Sequence, residues 1–567
     1  MHRGPPRACG PQGATISHSV YDVAVQATTE IEDTAIQPSR LRPIAATTTL
    51  FVAIVIAAFA ASARHTGGHL IYALDDPYIH MAMARNVALH GVWGVTASHF
   101  TSSSSSLLWT AGVAALFRAF GVHESIPLLL NVGFGILLLW LMVRYLAEST
   151  VRFSNAYLFM ASTGIALVAP LPALVFAGQE HILHALMNLA FVACGASWLA
   201  QPGRAMPANA TITLCAVATL LPLIRFESLF VIALVVTLLA VQGRWRAAVL
   251  IGTCGVLPVA LYGALSHSYG WYWLPNSVLL KGARPDFSSV AGIVLALGGV
   301  SYSRLMQLPA LTFLLSAALA AFLFRLVRGI RDDVQWMLGV FIALTLLHTQ
   351  FAQPGAFWFF RYEAYLFVLG GVAVARALGE WLETVRGQTS RLRTTVVQLG
   401  TILLFALSPL SDRALKAVVY IPQATRNIYE QQYQMGLFLG RFYAGRAVAL
   451  NDIGAASFLG DIDCVDLAGL ADIDVARRML AGLFESEDVR DIAEAKDARI
   501  AIVYDSWFGN RIPSNWRRAA TWTVQNNVVL GSNTVTFYAL KPEELGPLRA
   551  RLNEFSRILP PTVVQRF

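Results

Sequence analysis

A polytopic bundle of membrane helices carrying a small C-terminal α/β domain is the fold class this sequence predicts. Three observations carry that expectation. Long apolar runs follow one another from residue 44 to residue 410. Only 13% of the residues are charged, about half the share in a soluble globular protein, because lipid-facing surface does not carry charge cheaply. Near residue 430 the composition changes: charges become frequent and apolar runs shorten to strand length.

Residues 1–43 are rich in Pro, Thr, Ser and Ala without helical periodicity, and read as a disordered cytoplasmic tail. The first apolar run, 44–63, lies too deep in the chain for an ordinary secretory signal and is long enough to span. Arg40 and Arg42 before it place the N-terminus inside. A polar interval, 64–103, follows. Further runs cover 104–120, 125–147, 155–176, 181–200, 209–224, 228–242, 247–266, 305–325, 334–350, 364–378 and 394–410. A short apolar piece, 290–300, reads as a span or a re-entrant segment.

Arg144 to Arg152, Arg244 to Arg246, Arg325 to Arg331 and Arg386 to Arg393 all fit one cytoplasmic side. That assignment puts the C-terminal domain outside. Twelve runs would put it inside, so an odd total of eleven or thirteen spans is expected, with 104–120 the weakest. The predicted units are the tail 1–43, the bundle 44–410 with its outer loop 64–103, a linker 411–429 and the outer domain 430–567. In that domain, 448–452, 464–467 and 499–505 read as buried strands. IGAASFLG and VARRMLAGLF read as helices between them, and WTVQNNVVLG with NTVTFYAL as a closing hairpin.

The net charge of +8 sits in short clusters between apolar runs and offers no basic aromatic face, which argues against nucleic acid. Five cysteines without a CxxC spacing suggest neither a zinc site nor a disulfide framework.

The residues with chemical potential are polar islands beside apolar runs. Asp75 and Asp76 open the sequence Asp-Asp-Pro-Tyr-Ile-His. Two adjacent carboxylates raise at least one pKa, which suits a general base; equally, they read as caps on the following helix. Glu180, in Gly178 to His181, reads as an acceptor-orienting carboxylate or as part of a polar turn. Arg225 and Glu227 interrupt an apolar stretch and read as a mutual ion pair or as cavity-lining charges. Lys281 stands after Trp271, Tyr272 and Trp273, at the height of a lipid phosphate; the alternative is a snorkelling lysine. Arg361, in the aromatic stretch Phe357 to Glu363, is suited to grip a phosphate through two donors or to anchor at the interface.

In order, these islands resemble the motifs of the GT-C glycosyltransferases, above all the branch containing mycobacterial terminal arabinofuranosyltransferases. The resemblance rests on Asp75, Asp76, Tyr78, Ile79 and Ala84-Arg85-Asn86; on Gly91 to Gly94 and Ser102 to Thr110; and on Gly178-Gln179-Glu180 and Arg225-Phe226-Glu227. It continues through Pro275-Asn276-Ser277 to Lys281, Arg361-Tyr362, Asp452 to Ala455 and Asp466 to Leu470. Gln179 stands where the family has Met, and Phe226 where it has Pro.

The resemblance implies a GT-C-like bundle in the inner (plasma) membrane, with active site and C-terminal domain extracytoplasmic. It implies transfer of a sugar, arabinofuranose in that branch, from a polyprenyl-phosphate donor to a hydroxyl of a glycan, lipid or protein. Asp75 would be the base and Asp76 its helper. Lys281, Arg361 and Arg225 would hold the donor phosphate. Tyr78, His80, Arg85, Glu180, Glu227, Asn276 and Tyr362 would bind substrate. No cofactor is required and no metal ligand is assigned, although a divalent cation is compatible. The rival readings are a transporter or flippase of a lipid-linked sugar and a scaffold subunit of an envelope complex.

Overall fold

A computed structural model describes residues 38–149, 152–282, 289, 301–351, 358–388, 400, 403–404 and 406–567. The predicted tail up to residue 37, the piece 290–300, most of the run 394–410, and Arg152's neighbour Val151, Phe357, Arg391 and Arg393 lie outside the described residues.

The chain is a multi-pass membrane protein. Among the described residues, seven helices are long and apolar enough to cross a membrane: Leu41–Ala63, Ser125–Ala147, Asn155–Ala177, His181–Leu199, Trp245–Ser268, Pro309–Val327 and Ala364–Arg386. The third is broken into Asn155–Val168 and Leu171–Ala177. Pro170 lies at the break, where it offers no N–H and disfavours helix at Ala169 before it.

Three apolar runs read as spans are shorter helices: Leu107–Phe120, Ala208–Ile224 and Ser228–Val241. Leu107–Phe120 has 14 residues, roughly 21 Å at 1.5 Å per residue, against a hydrocarbon core of about 30 Å. It packs on the helix Asp76–His90, burying Trp109, Val113 and Phe117 at four-residue spacing. Its apolar stripe faces a neighbouring helix.

Residues 411–429, expected to be a linker, are helical. Pro409–Val419 and Ile421–Ile428 lead into a π-helical turn, Tyr429–Tyr433, and then the helix Gln434–Phe442. Ile421–Ile428 packs against Pro38–Ala63, with Ile421, Ala424 and Ile428 buried. This segment is a wall joining bundle to domain.

The C-terminal domain holds a six-stranded sheet: β1 (Ala447–Leu450), β2 (Asp463–Asp466), β3 (Ile500–Val503), β4 (Arg517–Thr523), β5 (Thr534–Ala539) and β6 (Val564–Arg566), in the order β2-β1-β3-β5-β4-β6. β1 runs parallel to β2 and β3, and all four residues of β3 are buried, as expected of a strand covered on both faces. The hairpin is β4–β5, antiparallel with Trp522 opposite Val535; its first arm lies earlier than expected, since of WTVQNNVVLG only Trp522 and Thr523 are in β4. β6, which the sequence reading did not anticipate, pairs with β4. The helices Gly454–Gly460 and Ile473–Ala481 follow β1 and β2.

The first polar loop and this domain share one end of the bundle. Asp75 accepts backbone hydrogen bonds from Gly454 and Ala455, and Asn276 donates to the Gly469 carbonyl at 2.8 Å.

Candidate functional site

The polar islands separated in sequence converge at that shared end. Asp76 begins the helix Asp76–His90. One of its carboxylate oxygens accepts from Arg361, and the other lies 3.4 Å from Lys281 Nζ. Arg361 also donates to Gln179 Oε1 at 2.9 Å and to the Tyr362 hydroxyl at 2.9 Å. The next residue after Gln179, Glu180, accepts from Arg225 at 2.7 Å, and Arg225 forks onto Glu227 at 3.2 and 2.6 Å. The Tyr362 ring lies 4.9 Å from the Arg361 guanidinium and 5.4 Å from that of Arg225. His80 Nε2 stands 3.9 Å from the second Glu180 oxygen, while its Nδ1 meets Thr110 at 2.8 Å.

Local backbone requirements explain why these side chains meet. Gly178 has φ +64°, and a Cβ there would fall 2.4 Å from the Tyr72 ring. Only glycine lets the Gln179-Glu180 turn close over the Asp75 loop. Phe359 and Phe360 before Arg361 have φ of 57° and 52°, a left-handed geometry that costs of order 1–3 kcal/mol per residue. Arg413 ties this turn down through the Phe360 carbonyl at 3.1 Å and Glu363 at 2.8 Å. The strain is spent on aiming Arg361 at Asp76.

Asp75 and Asp76 are adjacent but live in opposite fields. Burial pushes the Asp76 carboxyl up, and Lys281 and Arg361 more than reverse it, leaving it below the usual carboxylate range. Asp75 does not cap its helix through its side chain. Its two oxygens instead accept from Gly454 N at 2.7 Å and Ala455 N at 2.8 Å. Burial raises its pKa, Asp452 raises it further, and the two N–H groups oppose them without winning. Burial also holds the His80 imidazole below its ordinary value, favouring the neutral ring.

Among the described residues, three buried polar atoms in the cluster have no hydrogen-bond partner: Glu180 Oε2, His181 Nδ1 and Arg361 Nε. Such atoms are costly to leave dry and unpaired, so this is where a polar ligand gains most. Lys281 is 45% exposed at its side chain, which leaves its remaining donors open. Among the described residues, no group of three His, Cys, Asp or Glu is placed to hold a metal ion.

Of the residues singled out from sequence, Asp75, Asp76, His80, Glu180, Arg225, Glu227, Lys281, Arg361 and Tyr362 are brought together. Three are engaged elsewhere. Tyr78 is fully buried and its hydroxyl accepts from Tyr72 N at 3.2 Å. Arg85 donates to the carbonyls of Phe458 at 2.7 Å and Ser457 at 3.4 Å. Asn276 holds the loop at Gly469. These three fasten the C-terminal domain or the loop under it. Sequence reasoning missed Gln432, Asp452 and Tyr504 as site residues, although Asp452 stood in a quoted motif. Their alignment with Asp75 depends on pairings some 380 residues apart.

A family profile described as a domain of unknown function (DUF8728) matches residues 426–538. No curated protein matches the chain. Among solved structures, the oligosaccharyltransferase AglB of Archaeoglobus fulgidus, in complex with an inhibitory peptide and a dolichol-phosphate, is 12% identical with a TM-score of 0.46, covering 87% of this chain and 74% of its own. ArnT of Cupriavidus metallidurans bound to undecaprenyl phosphate is 12% identical, with a TM-score of 0.45 over 87% of this chain and 98% of its own. ArnT in the apo state is 13% identical, with a TM-score of 0.48 over the same shares. Similarity this loose decides nothing about substrate or activity.

Proposed function

We propose that the chain is a membrane glycosyltransferase of the GT-C type that takes a sugar from a polyprenyl-phosphate donor and passes it to a hydroxyl acceptor on the extracytoplasmic side of the plasma membrane. The observation that carries this reading is the single ionic network at one end of the bundle: two carboxylates of opposite electrostatic character beside two cations already gripping an anion, Asp76. A donor phosphate offers Lys281 and Arg361 the same chemistry as that carboxylate.

In the reaction, the acceptor O–H bond breaks and its proton passes to Asp75. The acceptor oxygen bonds to the anomeric carbon. The bond from that carbon to the phosphate oxygen breaks, and the electron pair leaves on the polyprenyl phosphate. Lys281 and Arg361 stabilise the charge that gathers there. Arg225 backs them through Tyr362 and Glu180, and the free Glu180 oxygen is suited to accept from a sugar hydroxyl. Of the sugars, arabinofuranose is the first to test, on the resemblance of the motifs.

The test is transfer of labelled sugar by purified protein in nanodiscs from synthetic polyprenyl-phosphoryl arabinofuranose, mannose and glucose to alkyl glycosides. Arg361→Ala removes a buried charge-assisted contact worth about 1.5–3 kcal/mol, so turnover at limiting donor should fall by roughly tenfold to a hundredfold. Lys281→Ala, on a half-exposed side chain, should fall less. Wild-type turnover in both variants would reduce these residues to interfacial anchors.

A further inference from the structure

We infer that Asp452, in the outer domain, is a positioning residue for Asp75, so that the domain matched only as one of unknown function completes the catalytic centre. This rests on Asp75 acting as the base.

The geometry runs through four contacts. Gly454 and Ala455 present their N–H groups to the two Asp75 oxygens. A Cβ on Gly454 would lie 2.2 Å from the Asp75 carbonyl oxygen and 2.6 Å from Oδ2, so the approach is open to glycine alone. Two residues earlier, Asp452 Oδ2 accepts from Gln432 Nε2 at 2.8 Å and meets the Tyr504 hydroxyl at 2.8 Å. Gln432 belongs to the π-helical turn Tyr429–Tyr433, a rare geometry found mostly at functional sites. Gln432 Oε1 is buried and without a partner. Among the described residues, neither Asp75 nor Asp452 has an ion pair; both are half-buried, and Asp75 lies in the field of Asp452.

The groups acting on this pair come from each packed element. Asp452 and Asp76 both push Asp75 up, after burial itself. Tyr504 feels both Asp452 and Asp75. Lys281 lowers Asp76 and Asp452, and Arg361 and His80 lower Asp76. Asp76 is therefore neutralised by cations while Asp75 is left facing a second carboxylate. The two half-buried carboxylates titrate as a pair. The backbone N–H groups fix the direction of Asp75, and Asp452 keeps it basic enough to take a proton.

The test is pH-difference infrared spectroscopy of the full chain in nanodiscs, which needs no substrate, beside the transfer assay above. The wild type should show a protonated carboxyl band surviving well above the ordinary carboxylate range and absent in Asp75→Asn. In Asp452→Asn its midpoint should fall by about one pH unit or more, and the acidic limb of the transfer profile should move the same way. Tyr504→Phe removes a donor to Asp452, favours its neutral form and should shift the midpoint in the same direction. An unmoved midpoint in both variants, with Asp75→Asn inactive, overturns the role of Asp452 alone. Wild-type transfer by Asp75→Asn overturns the base reading and this inference with it.

Discussion

The two ends of the bundle both bury charge, and they do it differently. The helix Ala364–Gln388 begins three residues after Arg361 and carries Arg376 and Glu380 on its later turns. Glu380 is thus roughly 24 Å along the helix from Ala364. There, Arg325 lies between Asp332 and Glu380, and Arg376 pairs with Asp333 at 2.8 Å and with Glu380 at 3.5 Å. Tyr145 and Ser149 add hydrogen bonds to Asp333 and Glu380, each at 2.8 Å. Every carboxylate of that cluster touches a guanidinium. At the other end, among the described residues, Asp75 and Asp452 touch none, and Glu180 keeps a buried oxygen without a hydrogen bond. In the far cluster every carboxylate is matched by a guanidinium, which suits packing, even though the Arg325 and Arg376 Nε atoms are buried without a hydrogen-bond partner among the described residues. The near cluster keeps unmet charge and acceptor capacity, which costs stability and suits chemistry.

The largest expected effect tests that contrast directly. Asp75→Asn keeps the shape and removes the proton acceptor, so transfer should fall by about 10²–10⁴. It relieves the repulsion with Asp452 but turns an amide NH2 toward one of the two backbone N–H donors, so the thermal midpoint should fall modestly while activity per folded molecule is lost. A variant that lost activity only because it unfolded at lower temperature would make Asp75 a docking anchor and erase the distinction between the ends.

Arg376→Gln should do the reverse. It strips the partner from Asp333 and one partner from Glu380. Breaking a buried pair costs about 3–5 kcal/mol, which a denaturation series in detergent would record. Turnover per folded molecule should stay at the wild-type level, because nothing at that end touches the reacting groups. A changed donor KM at unchanged stability would mean the two clusters communicate along the helix Ala364–Gln388.

Much of this was legible in the sequence, for physical reasons that also mark where legibility stopped. Charges stranded beside apolar runs must pair or face a cavity, so Asp76, Glu180, Arg225, Lys281 and Arg361 announced themselves, and their convergence followed once the helices packed. The Arg225–Glu227 pair was one of two open readings; the structure shows that pair and adds Glu180 to it. Strands of the outer domain were legible because β1 and β3 are near-continuous apolar runs. The helix Leu107–Phe120 is shorter than the run read as a span there, and composition alone does not separate apolar residues facing a helix from those facing lipid. Tyr504 and the π-helical turn left no local signal, and Asp452 showed only as part of a motif, since their meaning lies in what the fold sets opposite them.

The smallest expected effect concerns Arg85, which stands at the site end but behaves like the far one. Its guanidinium donates to two carbonyls near the end of the helix Gly454–Gly460 and lies 3.3 Å from Asp461. The Asp461 side chain is 73% exposed, so that ion pair is worth at most about 1 kcal/mol. Asp461 also sits at φ 47°, a left-handed position where asparagine is well tolerated. Asp461→Asn should therefore change the thermal midpoint and donor KM little. Arg85→Lys should cost more, because a lysine cannot reproduce the planar fork that reaches both carbonyls. Its loss should appear as faster proteolysis between bundle and outer domain, with donor KM unchanged per folded molecule. Should Arg85→Lys instead raise donor KM without loosening the domain, Arg85 would return to the substrate-binding set, and the boundary between fastening and chemistry at this end would have to be redrawn through the helix Asp76–His90.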